Sequence, residues 1–457
     1  MVVQGNNTLP RFLDGLWLLL LAAYVFAGMP LATFHGDEAM QIYMSHDYAT
    51  AFIYKEPHRL VTSPPYYIDS DQQLRLLNGS INRYAIGLSW HLAGLTTGDL
   101  PPAPGWDWGL DYATNVQTNH RPSDVLLNAA RLSSTLFLAL SAAVLFGIGW
   151  QFGGRPLAYV ASGLYILNPV VLLNGRRAMM EGSLLCFGLL TILLAVIISR
   201  KREQGARGLL PWWIGLTLAG GLTLASKHSG LVFVAGAFGW ILVTELARRN
   251  MRGILTTTLM VAVSLAVVLA IFLALSPALW NDPIARLQDL IAERQKLIDI
   301  QVEADPIAPT TLIQRIEAIL AQPFLAPPMH YEVAFWANAE PITAEINRYM
   351  ASPLSGVQFG WLLGLPLTLL AGLGIVSCVW PGLRPQGSAA LSLGLLVWLA
   401  VTLLSLLVNP LPWQRYYLPL YPAAALLAGV GLQTAVRLIV QKRKQNLAPT
   451  HLPVGSS

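Results

Sequence analysis

Two adjacent carboxylates with the capacity for chemistry follow an apolar run near the start of the chain. The uncharged residues from about 15 to 34 are followed directly by His35, Gly36, Asp37 and Glu38. Carboxylates at a bilayer boundary are costly to desolvate, and those that face a water-filled cavity usually serve catalysis or transport. The simpler alternative is that Asp37 and Glu38 only begin an amphipathic helix, where the helix dipole favours negative charge.

A second group of ionisable residues lies at the ends of other apolar segments, all near the same face of the predicted membrane domain. The group consists of Arg131, Arg176, Arg177, Lys227, Arg415 and the acid Glu181. A guanidinium fork matches phosphate oxygens and an ammonium supplies a compact charge, and both bind more strongly where water is excluded. Together with the diacid, these cations predict a site for the phosphate head of a lipid.

Each member of this group also has a simpler explanation. Arg177 and Glu181 are four residues apart, so on one helix they could neutralise each other. Arg131 could extend its side chain to the outer headgroups. Lys227 could be an ordinary interfacial anchor, and Arg415 with the tyrosines that follow it could belong to an aromatic belt.

The elements that position these residues are predicted to be transmembrane helices. Hydrophobic residues make up 54% of the 457 residues and charged residues 12%, about half the charge of a typical soluble domain. About twenty apolar residues cross the hydrocarbon core. We therefore predict about ten spans, at 13–34, 125–150, 156–174, 177–198, 211–227, 229–246, 254–280, 356–380, 388–409 and 415–437. Continuous Leu-rich runs favour helices over the alternating strands of a barrel.

The predicted fold class is thus an all-α integral membrane protein with a single transmembrane domain over 1–437. Two long polar segments, 35–124 and 281–355, are predicted to be extracytoplasmic loops. The last segment, 438–457, is predicted to be a basic cytoplasmic tail that is partly disordered. Basic residues of the short loops, such as Arg200, Lys201 and Arg202, place those loops and both termini in the cytoplasm.

The net charge of +5 is therefore mainly a topology signal. A nucleic-acid partner is not expected, because no basic stripe with interleaved aromatic residues is present. Cys186 and Cys378 both fall within apolar spans, which favours small core residues over a disulfide or a metal site.

The order of these pieces resembles the GT-C membrane glycosyltransferases, in particular the group of protein O-mannosyltransferases and bacterial aminoarabinose transferases that modify lipid A. The matching pieces are Asp37-Glu38, Ala130-Arg131-Leu132-Ser133, Gly175-Arg176 with Glu181, Ser226-Lys227-His228-Ser229-Gly230, and Arg415-Tyr416-Tyr417-Leu418-Pro419-Leu420-Tyr421-Pro422. Two departures matter. Glu181 stands where many relatives have Asp, and the segment 281–355 has no motif that aligns, which leaves the acceptor site undetermined.

The resemblance implies a GT-C fold and a sugar donor on a polyprenyl phosphate, presented at the outer face of a bacterial cell membrane. The acceptor would be a hydroxyl of a protein, a lipid or a glycan. Asp37, carried over from the family motif, is the expected base. Arg176, Lys227, Arg415 and Arg131 are expected to bind the donor phosphate, and direct displacement would invert the anomeric centre.

Glu38 has a different expected role, since adjacent helical residues point about 100° apart and cannot both face one reacting atom. We expect it to orient Asp37 or to bind the sugar and acceptor. The expected supporting residues are Arg177, Glu181, His228, Tyr416 and Tyr417. No cofactor is expected to be required. A divalent metal held by His35, Asp37 and Glu38 is the less favoured option, because near-contiguous ligands give poor geometry.

The long loops permit only local predictions. Residues 72–95 could include an amphipathic helix along the membrane, with Asn82, Arg83, Trp90 and His91 at the interface. Helices are predicted at 284–303 and 310–322, and the aromatic residues of 331–336 suggest either a lid or ordinary surface packing. The alternative function is a transporter or flippase of lipid-linked sugars, which would favour inverted repeats and midplane charges that are not obvious here.

Overall fold

A computed structural model describes residues 8–304, 311–383 and 389–447. Within these ranges the chain is helical and forms no strand. The helices of the first half are α1 Thr8–Ala27, α2 Gly36–Met44, α3 His46–Tyr48, α4 Asp71–Leu77, α5 Ser80–Leu92, α6 Tyr112–Gln117, α7 Asp124–Ile166, α8 Pro169–Arg176, α9 Glu181–Glu203 and α10 Leu210–Ser226. Those of the second half are α11 Leu231–Ala247, α12 Met251–Leu275, α13 Pro283–Ala304, α14 Leu312–Ala321, α15 Ala334–Ala337, α16 Glu340–Ala351, α17 Gly360–Val379, α18 Ala389–Val408, α19 Gln414–Tyr417 and α20 Leu420–Leu447.

The all-helical, multi-span fold class is confirmed. In the part of the chain that the structure describes, eight helices are long and apolar enough to cross a membrane: Pro10–Leu31, Asp124–Ile166, Glu181–Glu203, His228–Ala247, Met251–Leu275, Pro353–Val379, Ala389–Val408 and Leu420–Gln445. The protein is therefore a multi-pass membrane protein.

The number of ten spans is not confirmed, and the difference lies in two places. Helix α10, the fifth predicted span, has only 17 residues. Two further predicted spans, 125–150 and 156–174, share the 43-residue α7, whose regularity is interrupted at Gly153 and Gly154.

Helix α7 is a hairpin rather than a straight rod. In a continuous helix Ser141 and Tyr165 would lie about 36 Å apart along the axis, yet their hydroxyls are hydrogen-bonded at 2.9 Å. The reversal occurs at Gly154, whose φ of 71° is a left-handed conformation that glycine adopts without strain. The second arm ends at Ile166, and Asn168 then caps α8. The predicted span 156–174 is therefore two helices.

The core of the bundle is formed by helices packed in pairs, notably α7 with α9, α11 with α18, and α17 with α20. Gly374 and Gly431 lie where α17 and α20 meet, and a Cβ at either position would clash with a carbonyl of the facing helix. Small residues let membrane helices approach this closely. Cys186 and Cys378 are both buried, as predicted.

The two long loops fold onto the same end of the bundle. Helices α13 and α14 confirm the patterns predicted at 284–303 and 310–322. A helix predicted within 72–95 is confirmed by α5, but its interfacial side chains were wrongly assigned, because Asn82, Arg83 and Trp90 are buried inside the protein. Only the fourth candidate of that prediction, His91, is exposed. At the C-terminus, α20 continues past the predicted boundary at 438, and residues 448–457 of the predicted tail lie outside the described residues.

Candidate active site

The diacid is positioned by a cap at the start of α2. The backbone N–H of Asp37 donates to His35 Nδ1 at 3.0 Å, and the backbone N–H of His35 donates to Glu38 Oε2 at 3.1 Å. This reciprocal arrangement satisfies backbone donors that a helix start leaves free. Because Nδ1 accepts, the proton of a neutral His35 lies on Nε2, which can donate to Glu332 Oε2 at 2.9 Å.

Asp37 lies opposite Arg415, which comes from the segment just before α20. Its carboxylate accepts a hydrogen bond from Arg415 Nη1, and Arg415 Nε lies 3.2 Å from Glu332 Oε1. Burial alone would raise the pKa of Asp37, but Arg415 and His35 outweigh it and hold that pKa below its usual value. The same two neighbours lower the pKa of Glu332 against the effect of burial. Both carboxylates are therefore ionised at neutral pH.

Glu38 points the other way, into the protein. It is fully buried, and its two oxygens accept from Arg131 Nε and Nη2, each at 2.7 Å. The backbone N–H of Ala178 adds a third hydrogen bond at 2.8 Å. These donors overcome burial and lower the pKa of Glu38. Glu38 thus joins α2 to α7 and to the connection between α8 and α9.

Arg131 and Arg176 are likewise committed to the protein interior. Arg131 is 2% exposed and bonded to Glu38. Arg176 is fully buried and donates to the carbonyls of Tyr24 and Val25 at 2.7 and 2.9 Å. Neither lines the large cavity described below. The structure therefore gives both arginines a structural role in place of the predicted phosphate contact.

Arg177 does not form the alternative pair with Glu181. Its guanidinium donates to the Thr33 carbonyl at 3.0 Å and to the His330 carbonyl at 2.8 Å, which joins the connection between α1 and α2 to the segment that precedes α15. Glu181 instead accepts from Lys227 Nζ at 2.6 Å. The pairing of Arg177 with Glu181 is thus wrong, and the two side chains serve different parts of the molecule.

Lys227 lies at the end of α10, with its ammonium 5.4 Å from the ring centroid of Tyr416. The same tyrosine ring lies 5.9 Å from the guanidinium of Arg415. Tyr416 therefore stands between the two cations. Tyr417 is buried in the bundle core, away from the cavity.

A cavity of about 1240 Å³ opens between these side chains. Its polar wall includes His35, Asp37, Glu181, Lys227, His228, Arg294, Glu332 and Arg415. Its apolar wall includes Leu297 and Ile298 of α13 and Leu406 and Val408 at the end of α18. The volume exceeds that of most small-molecule sites, and the two walls suit a ligand with a charged head and an apolar chain.

Residues 104–281 match the family described as dolichyl-phosphate-mannose-protein mannosyltransferase. Solved structures also resemble this chain over almost its whole length. The apo oligosaccharyltransferase of Archaeoglobus fulgidus aligns at 11% identity with a TM-score of 0.55, covering 98% of this chain and 54% of that one. ArnT from Cupriavidus metallidurans, in its apo state, aligns at 11% identity with a TM-score of 0.51, covering 98% and 66%. This chain has the GT-C fold. No curated protein sequence matches it significantly.

A third structure is AglB from Archaeoglobus fulgidus, in complex with an inhibitory peptide and a dolichol-phosphate. It aligns at 10% identity with a TM-score of 0.52, covering 97% of this chain and 53% of that one. The present chain therefore spans about half the length of the oligosaccharyltransferase. At such identities the likeness shows the shared GT-C fold.

Within the GT-C fold, several charged residues that line the cavity were not predicted from the sequence, among them Glu332 and Arg294. Glu332 lies in the predicted aromatic segment 331–336, where Tyr331 stacks on His35 at 4.5 Å between ring centroids. The segment 331–336 therefore lies against the cavity. Its single carboxylate, Glu332, was the feature of the sequence from which this position could have been predicted. Arg294 lies on α13 and donates to the Leu77 carbonyl. One arginine on a polar amphipathic helix carries no comparable signal.

Asp37, Glu181 and Glu332 at the cavity are each paired with a basic side chain. Residues 8–304, 311–383 and 389–447 contain no group of three or more His, Cys, Asp or Glu side chains arranged to hold a metal ion. The metal option and the absence of a required cofactor both stay predictions. What the arrangement can do by itself is bind an anion between Lys227 and Arg415 and accept a proton at Asp37.

Proposed function

We propose that this protein is an inverting glycosyltransferase that moves a sugar from a polyprenyl-phosphate donor to an acceptor hydroxyl. The observation that carries the proposal is the placement of Asp37, Lys227 and Arg415 on one cavity, although they come from α2, the end of α10 and α19. A base and two phosphate-binding cations are the groups that this transfer needs.

The shape of the cavity supports a lipid-linked donor. The phosphate would lie between Lys227 and Arg415, and the isoprenoid would lie along the apolar wall formed by α13 and α18. AglB, a protein of the same fold, binds a dolichol-phosphate, and we extend that class of ligand to this chain. A nucleotide sugar is a poorer fit, because it has no long apolar part to cover that wall.

In the proposed reaction the acceptor oxygen attacks the anomeric carbon from the face opposite the phosphate. The new carbon–oxygen bond forms as the bond from that carbon to the phosphate oxygen breaks, and the phosphate leaves with the bonding electrons. Asp37 Oδ takes the hydroxyl proton. Arg415 and Lys227 stabilise the negative charge that grows on the leaving group. The product phosphate has a pKa near 6 by analogy with phosphorylated side chains, so it leaves as an anion without an acid.

We further propose that the cavity faces the periplasm or exterior of a bacterial cell, with both termini in the cytoplasm. The support is the concentration of Lys and Arg in the short loops at the opposite end of the helices. The acceptor is a hydroxyl of a protein, a lipid or a glycan.

The direct test is to incubate the purified protein in detergent with polyprenyl-phosphate sugars. We expect free lipid phosphate and a glycosylated product of inverted anomeric configuration, measured by mass spectrometry and NMR. The same reaction after chelation with EDTA tests whether the transfer requires a divalent metal. Release of no lipid phosphate from any donor would refute the transferase, and passage of intact donor across a vesicle membrane would establish the transporter instead.

A further inference from the structure

The two cations proposed to bind the donor phosphate are already paired with carboxylates. Lys227 Nζ lies 2.6 Å from Glu181 Oε1, and Arg415 is bonded to Asp37. The carboxylates are therefore competitors of the phosphate. A phosphate that bound beside Lys227 and Arg415 without displacing the Asp37 and Glu181 carboxylates would place its negative charge next to theirs.

The two ends of the Arg415 guanidinium are held differently. Nη1 is bonded to Asp37, which is 23% exposed and lines the cavity. Nε faces Glu332, which is 14% exposed and is also held by His35 at 2.9 Å. Glu332, which also lines the cavity, thus holds the opposite end of the Arg415 guanidinium, so Nη1 can change its partner without movement of the whole side chain.

We propose that Asp37 and Glu181 are placeholders for the donor phosphate, which takes over Arg415 Nη1 and Lys227 Nζ when it binds. This inference rests on the proposed function and deepens it, because the exchange couples donor binding to the release of the base. Before the donor arrives, Asp37 is masked by Arg415. After the exchange its carboxylate is free to accept the proton of the acceptor hydroxyl.

The exchange reverses the ordinary expectation for mutations in a binding site. Neutralising either placeholder removes a competitor of the phosphate, so Glu181→Gln and Asp37→Asn are each expected to bind a lipid phosphate more tightly. Damage to the structure would weaken binding instead. A gain in affinity is therefore a signature that a merely structural role would not produce.

The test measures binding of farnesyl phosphate to the full-length protein by calorimetry in detergent, with the neutral alcohol farnesol as a second ligand. We expect the Kd of farnesyl phosphate to fall about fivefold or more in each variant, the low end of a typical coupling between two sites. The Kd of farnesol should stay within about twofold, because it carries no charge to compete for the cations.

Glu245→Gln is the matched control. Glu245 is a buried carboxylate paired with Arg202 at 2.9 Å, but it lies at the opposite end of α11 and away from the cavity. Its substitution should leave both affinities unchanged. Asp37 is more exposed than Glu181, so Asp37→Asn still decides the matter if Glu181→Gln does not fold.

The outcomes are distinct. Equal or weaker binding of farnesyl phosphate to Asp37→Asn, while the wild-type protein binds it and turns over donor, overturns the exchange and leaves the proposed function standing. Absence of binding and turnover in the wild-type protein overturns the donor class and the exchange together.

Discussion

At both ends of the bundle, ion pairs join helices that are distant in sequence, but the surroundings of these pairs differ. At one end Asp14 accepts from Arg155 at 2.9 Å, and Glu245 accepts from Arg202 at 2.9 Å. At the other end Asp37 pairs with Arg415, and Glu181 with Lys227. Only the second set of pairs lines the large cavity.

The cause of the difference is the length of the connections. At the first end, α9 joins α10 and α11 joins α12 through a few residues, 204–209 and 248–250, so little chain is available to enclose a space. At the second end, the segments 35–124 and 281–355 fold over the helix ends and supply the walls. The same residue types therefore hold helices together at one end and form a candidate active site at the other.

The largest expected effect concerns the two aspartates. Asp37→Asn removes the proposed base and should lower kcat by about 10²–10⁴, the usual contribution of general-base catalysis. Asp14→Asn alters a carboxylate of the same type, also paired with an arginine, and should leave kcat within about twofold. The measurement is release of lipid phosphate at saturating donor. Equal losses of kcat in the two variants would show that Asp37 has no catalytic role that Asp14 lacks.

The next effect concerns stability. Glu38→Gln leaves Arg131, which is 2% exposed, without its carboxylate, and removal of one partner of a buried pair costs about 3–5 kcal/mol. Asp14→Asn should cost less than Glu38→Gln, because its partner Arg155 is 37% exposed and can be hydrated when the carboxylate is lost. Thermal unfolding in detergent measures the difference. A Tm of Glu38→Gln close to that of the wild-type protein would show that this pair does not support the fold.

The smallest expected effect concerns Glu332. Glu332→Gln removes the charge that anchors Arg415 but keeps the shape of the side chain, so donor kcat/KM should fall by about tenfold through misplacement of the guanidinium. The control is Glu345→Gln, in α16. The Glu345 carboxylate accepts a hydrogen bond from the backbone N–H of Phe34 and does not line the cavity. Comparable kcat/KM values for the two variants would show that Glu332 does not position Arg415 for the reaction.

Several parts of this arrangement were predictable from the sequence because they depend on local pattern. Runs of about twenty apolar residues predict membrane helices wherever they occur, and polar patterning located α13 and α14. The pattern also predicted a break between 125–150 and 156–174, which the structure places at Gly153 and Gly154. It did not show that the second of these spans is divided between the end of α7 and the separate helix α8.

For the candidate site, the sequence predicted a meeting of charges at one end of the bundle, and the structure brings Asp37, Glu181, Lys227 and Arg415 to one cavity. It did not separate these from Arg131 and Arg176, which are equally basic and occur at similar positions in their segments. The distinction depends on whether each side chain points into the cavity or into the protein interior. The position of a residue along its apolar segment does not determine that direction.

The sequence by itself determined which residues are held near the membrane boundary, because the hydrophobic effect fixes the depth of each apolar segment. Only the tertiary structure decided how the charges are paired: Glu38 with Arg131 in the interior, and Asp37 with Arg415 at the cavity. The physical reason is that an ion pair forms between side chains a few ångströms apart, and such closeness arises from the packing of segments that are 93 and 378 residues apart in the chain for these two pairs.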